Sequence, residues 1–138
     1  MKTIYLAGPL FTAAEQEFNL RLSIFLTEHG FKVFLPQTEC ANKSLPEIFE
    51  ICRGGIDQSA VVLAVLDGAD ADSGTCWECG YAYALDKPIA ALRTDFRQTG
   101  DTHGFNAMLY FSASAHIEAP DNYLQPVLDT LNKLFDKR

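Results

Sequence analysis

The chain has 138 residues, with 48% apolar residues, 21% charged residues and a formal net charge of -7. Its length suits one domain, residues 1–138, with a full core, and its composition is that of an ordinary globular protein. The acidic excess argues against a nucleic-acid polymer or an anionic membrane as partner, because both require a positive face. No apolar run is long enough to span a bilayer. The start of the chain lacks the pattern of a signal peptide, so the expected location is cytoplasmic.

Thr3 to Ala7 reads as a first strand, turned by Gly8-Pro9, with Tyr5 and Leu6 on opposite faces. Tyr5 either leans into a crevice or sits in the core with its hydroxyl satisfied. Ala13 to His29 carries Phe18, Leu22, Phe25 and Leu26 at the spacing of one helical face, and Gly30 stops it. Phe31 to Leu35 is the second strand, after which Pro36-Gln37 opens a loop. Thr38 to Ser44 is polar and irregular, suited to a pocket rim. Pro46 to Gly54 reads as a helix with proline at its start, ended or bent by Gly54-Gly55.

Val61 to Leu66 is short, β-branched and uncharged, as a strand buried on both faces should be. Asp67-Gly68 ends it, and Asp72-Ser73-Gly74-Thr75 supplies helix-start chemistry for the segment that follows. A strand that enters a helix through such a loop places the loop at the carboxyl edge of an open α/β sheet, where ligands bind. Ile89 to Leu92 is a fourth strand, Arg93 to Gly104 a charged loop fit for a lid or a subunit contact, and Phe105 to Phe111 a short apolar helix. Ala115 to Ile117 is a weak fifth strand and Leu124 to Phe135 an amphipathic closing helix. Strands alternating with helices imply a flavodoxin-like three-layer α/β sandwich whose five-stranded parallel sheet has the order 2-1-3-4-5.

The usual phosphate and dinucleotide signatures are missing, so no cofactor is expected: the first strand runs into AGPLFTAAE, with neither G-x-G-x-x-G nor a P-loop. Asp67, Asp70 and Asp72 would repel a phosphate and suit a neutral ligand with hydroxyls and protonated ring nitrogens; the plainer alternative is a solvated acidic turn with an N-cap. The loop departs from a calcium-binding EF-hand, since Tyr81 stands where the bidentate glutamate belongs, and no metal is expected. Glu78 has two readings. Thr75-x-x-Glu78 fits a capping box, while the small residues Gly74, Gly80 and Ala82 around it permit close approach of a ligand, and a helix N-terminus keeps a carboxylate ionised for nucleophilic attack. Cys76-Trp77-Glu78-Cys79 admits a redox reading. Cys40 and Cys52 are isolated in sequence, and buried thiols are the expectation for all four cysteines.

IYLAGPLF, LDGADADSG, ECGYAYAL and FNAML, in register from Thr3 to about Met108, resemble the nucleoside 2-deoxyribosyltransferase family. The resemblance implies a double displacement in which Glu78 attacks C1' of a 2'-deoxynucleoside and a second nucleobase then displaces it. It places the tyrosine that orients the nucleophile on Tyr5, an aspartate that holds the nucleoside on Asp72, and a nucleobase contact on Gln37. It puts the asparagine that reaches a neighbouring subunit's site on Asn106, so that a homo-oligomer is required. Gly8, Asp67, Gly74 and Met108 are further substrate-binding candidates, and the partners implied are deoxynucleosides and free nucleobases. Where many members carry an aspartate thought to protonate the leaving base, this chain has Cys52, with Asp57 nearby; Asp72 is then the candidate acid. Three other functions stay open: an N-glycosidase acting on deoxynucleosides or deoxynucleoside 5'-monophosphates, a nucleotide-sensing module and a dithiol oxidoreductase.

Overall fold

The computed structural model describes residues 2–137. Five strands, β1 (Thr3–Ala7), β2 (Lys32–Phe34), β3 (Val61–Val65), β4 (Ile89–Arg93) and β5 (Ala115–Glu118), form one sheet. They pair in parallel in the order β2-β1-β3-β4-β5. The helices are α1 (Ala13–Glu28), α2 (Pro36–Glu39), α3 (Leu45–Gln58), α4 (Ser73–Ala84), α5 (Ala107–Ser112) and α6 (Leu124–Asp136). This is the flavodoxin-like sandwich expected from the alternation of elements.

Alternation along the strands divides the core in two. Ile4, Leu6, Leu63, Val65 and Leu92 pack with Leu22 and Leu26 of α1 and with Val127 and Leu131 of α6. Tyr5, Ala7, Val62, Ala64 and Ala91 point to the other face, against α3, α4 and α5. That second face is rich in alanine, and Ala82 and Cys79 of α4 are buried against it. Short side chains let α4 lie close to the sheet, so a residue on its inward side can reach a strand side chain directly.

Local chemistry fixes the helix starts. Thr12 and Glu15 form a reciprocal capping box on α1, and Ser44 and Glu47 form another on α3. Two expectations need correction here. Pro36-Gln37 does not open a loop but begins the single turn α2. The helix after Ser44 does not end at Gly54-Gly55 but continues through both to Gln58. Gly55 is there because the Phe34 ring lies against it; a Cβ at this position would meet ring carbons at 2.6–2.8 Å.

The segment after β4 is tied down from below. Arg93, 4% exposed, donates from Nη1 to the carbonyls of Leu66 (2.8 Å) and Gly68 (3.0 Å), and from Nη2 to the Arg97 carbonyl and Thr99 Oγ1, each at 3.0 Å. It belongs to β4 rather than to the charged loop, and it clamps the ends of two strand-to-helix connections. No helix among the described residues is long and apolar enough to cross a membrane.

Candidate functional site

Tyr5 is fully buried in the middle of the sheet. Its ring stacks on that of Phe34, its register partner on β2, with centroids 5.2 Å apart and planes at 17°. The phenol emerges toward α4 and donates a hydrogen bond to Glu78 Oε2. Burial, and then the Glu78 charge, hold the phenol protonated far above the ordinary tyrosine range. Tyr5 is therefore a fixed donor.

Glu78 is available for this contact because a different residue caps its helix. The N-cap of α4 is Asp72, whose Oδ2 accepts from the Thr75 main-chain N–H at 2.9 Å and from the Thr75 hydroxyl at 3.0 Å. Thr75 is thus inside the first turn and not the cap, and the capping box that would have drawn Glu78 back onto its own backbone does not form. Glu78 lies beyond that first turn, where the helix N-terminus does little for it. Burial pushes its carboxyl up to about 7, the Asp72 charge adds to the rise, and the Tyr5 hydrogen bond opposes it. The expectation of a carboxylate held ionised by the helix end gives way to one poised between its two protonation states near neutral pH.

Glu78 lines a cleft of about 450 Å³, within the usual range for small-molecule sites of roughly 300–1,000 Å³, with buried Tyr5 behind it. Gly8 and Gly74 line it, as do Phe11, Phe49 and Trp77, whose rings remain well exposed. Phe49 meets Trp77 edge-on at 5.5 Å, and Trp77 stacks on Tyr81 at 5.2 Å. The charged groups among the described lining residues are Asp72 and Glu78; no lysine, arginine or histidine is present. Such a surface suits an uncharged ligand with a flat face and hydroxyl donors.

The other candidates fall elsewhere. Gln37 does not line the cleft: its Oε1 accepts from Asn19 Nδ2 at 3.2 Å and its Nε2 donates to the Gln16 carbonyl at 2.9 Å, tying α2 to α1. Asp67 accepts from the main-chain N–H groups of Thr94 (2.6 Å) and Asp95 (3.0 Å), which joins the loops after β3 and β4. Asn106 caps α5, its Oδ1 accepting from the Met108 N–H at 2.9 Å. Asn106 and Met108 line a separate hollow of about 580 Å³ together with Asp70, Cys76 and Gly80. The three aspartates of the acidic loop thus do not act as one surface. Asp57, near Cys52 in sequence, is occupied by Tyr81 Oη at 2.7 Å and Arg53 at 2.9 Å.

Cys40 and Cys52, isolated in sequence, meet in space: their sulfurs lie 3.6 Å apart and Cys52 lines the cleft. Nothing in their spacing announces this, since the turn between α2 and α3 creates it. Burial raises the Cys76 thiol and pushes that of Cys79 up to about 12, the reverse of an activated CxxC pair.

A parallel sheet in the order β2-β1-β3-β4-β5 flanked by helices is the flavodoxin-like architecture, and here it sets a phenol-bound glutamate beside a cleft of small-molecule size. The chain belongs to the nucleoside 2-deoxyribosyltransferase family, whose model matches residues 4–123. It is 36% identical over 115 residues to an uncharacterised protein of Ureaplasma parvum, covering 68% of this chain and 71% of that one. A 2-deoxyribosyltransferase from Bacillus psychrosaccharolyticus superposes with a TM-score of 0.74 at 25% identity, covering 94% of this chain and 95% of the other. A CMP N-glycosidase from Clostridium botulinum shares the fold, with a TM-score of 0.67 at 22% identity over 91% of this chain and 98% of the other.

Proposed function

We propose that this protein transfers 2-deoxyribose between nucleobases, with Glu78 as nucleophile. The observation that carries the reading is the Tyr5–Glu78 hydrogen bond at the wall of an apolar cleft to which the described residues bring no cation. The ionised Glu78 carboxylate attacks C1' of a 2'-deoxynucleoside. A C–O ester bond forms as the C1'–N bond breaks, and its electron pair leaves on the nucleobase, which takes up a proton. Asp72, the second carboxylate of the cleft, is our candidate for relaying that proton from solvent, taking one up and passing it to the departing base. A nitrogen of an incoming nucleobase then attacks C1' from the vacated face, sheds its proton and returns Glu78 as a carboxylate. Two inversions retain the β configuration.

Tyr5 orients the carboxylate and stabilises its charged form. Phe49, Trp77 and Phe11 offer faces on which a nucleobase can stack. Nucleosides are favoured over nucleoside monophosphates because the described lining brings two carboxylates and no cation to the ligand. Asn106 and Met108 sit away from this cleft and would complete the site of a neighbouring copy.

Incubation with deoxyinosine and free adenine should yield deoxyadenosine. A deoxynucleoside 5'-monophosphate in water should remain intact. Mass spectrometry of protein quenched with a slow substrate should place one deoxyribosyl group on Glu78. Release of free deoxyribose or its 5-phosphate without base exchange would instead make the protein an N-glycosidase, and binding without turnover would make it a sensor.

A further inference from the structure

Cys40 ends the single-turn helix α2 and Cys52 lies within α3. Both are free and half-buried, and their sulfurs face each other at 3.6 Å. A disulfide needs about 2.05 Å, so closure asks the two sulfurs to approach by roughly 1.5 Å. The intervening connection can supply that movement. It is short, contains Asn42 at a positive φ of 61°, and is held by long hydrogen bonds from Ala41 N to the Thr38 carbonyl (3.4 Å) and from Lys43 N to the Cys40 carbonyl (3.3 Å).

Position gives the pair its consequence. Cys52 lines the cleft that contains Glu78, and it packs against the buried cluster that holds Tyr5. We propose that Cys40 and Cys52 are a reversible oxidation site, closing into a disulfide on reaction with a small-molecule disulfide, and that closure displaces Cys52 in the wall of the Glu78 cleft and stops turnover. The effect on turnover rests on the function proposed above; the chemistry of the thiols does not.

The cleft exposes Cys52 to the reagent. Its thiolate attacks one sulfur of the reagent, whose S–S bond breaks and releases one thiolate, leaving a mixed disulfide on Cys52. Cys40 then loses its proton and attacks the Cys52 sulfur, expelling the second reagent thiolate. Both protein thiols are oxidised, one reagent disulfide is reduced to two thiols, and the two protons go to the leaving thiolates. Burial pushes the Cys40 thiol up to about 12, which suits it to the slower resolving step.

The test treats the full-length protein with excess hydroxyethyl disulfide, followed by alkylation, peptide mapping and a deoxyribosyl-transfer assay. The expected result is a Cys40–Cys52 linked peptide and a loss of turnover on the order of 10²-fold, as for a small misplacement near a reacting centre. Dithiothreitol should restore the activity. Cys40→Ser should keep the basal activity and stop at the mixed disulfide on Cys52; Cys40→Ala serves if the serine variant folds poorly. Two free thiols after treatment, linkage through Cys76 or Cys79, or a complete Cys40–Cys52 bridge with unchanged turnover would each overturn the proposal. If the reduced protein transfers no deoxyribose at all, the function above fails, and the peptide map still decides whether the pair oxidises.

Discussion

Asp72 and Glu78 are two carboxylates on one cleft, and the charge of the first raises the proton affinity of the second. Tyr5 works against that rise by donating to Glu78. As the proposed nucleophile, Glu78 must be ionised to attack, so its proton balance should set the pH at which turnover occurs.

With the Glu78 carboxyl at about 7, kcat/KM for deoxyribosyl transfer should rise with pH through that region. Tyr5→Phe removes the donor that favours the charged form and should move this rise to higher pH, with a fall in turnover on the order of 10²-fold. Asp72→Asn keeps an oxygen acceptor for Thr75 and removes the charge, so it should move the rise to lower pH. Opposite displacements in the two pH profiles are the expected result; displacements of the same sign would refute the arrangement.

Glu78 also bears on stability. Its folded pKa lies above its unfolded value, so between about 4.5 and 7 the folded protein binds more protons than the unfolded chain. Stability from this group is therefore fully present below the unfolded pKa and is lost as pH rises through the folded one. Glu78→Gln cannot ionise and should raise Tm by roughly 2–5 °C at pH 8, with little difference at pH 4.5 or below, while abolishing transfer. Thermal melts at the two pH values measure it.

Gly55 supports the site from behind. It leaves room for the Phe34 ring, and that ring stacks on Tyr5. Gly55→Ala should destabilise the fold by about 1–3 kcal/mol through overpacking, although alanine is the better helix former. It should also lower kcat more than it raises KM, because the displaced ring disturbs the phenol. Denaturant unfolding and steady-state kinetics test the two parts.

Asn106 lines a hollow that does not include Glu78. If it serves a neighbouring copy, Asn106→Ala and Glu78→Ala should each be nearly inactive alone. Mixed subunits of the two should recover a fraction of the activity, since some sites then combine an intact Glu78 with an intact Asn106. No recovery after confirmed subunit exchange would place the asparagine in its own chain's site.

Much of this arrangement is local information. The β-branched run at β3, the Asp72-Ser73-Gly74 helix start and the i, i+2 alternation that turns Tyr5 away from Leu6 are all read from neighbouring residues. The choice between a capping and a crevice-facing Glu78 was not local. It turned on whether Asp72 or Thr75 capped α4, and on whether a phenol 73 residues away stood within reach.

Nearest-neighbour chemistry thus determined the order of strands and helices, the faces of each strand and the presence of a carboxylate at the ligand edge, because backbone preferences and side-chain periodicity act over a few residues. Tertiary packing decided the rest. It carried α3 through Gly54-Gly55 around the Phe34 ring, set the Cys40 and Cys52 sulfurs side by side, and separated Asp67 and Asn106 from the Glu78 cleft. Each of those outcomes depends on groups far apart in the chain meeting in a close-packed interior, where room for one ring or one sulfur is settled only by everything around it.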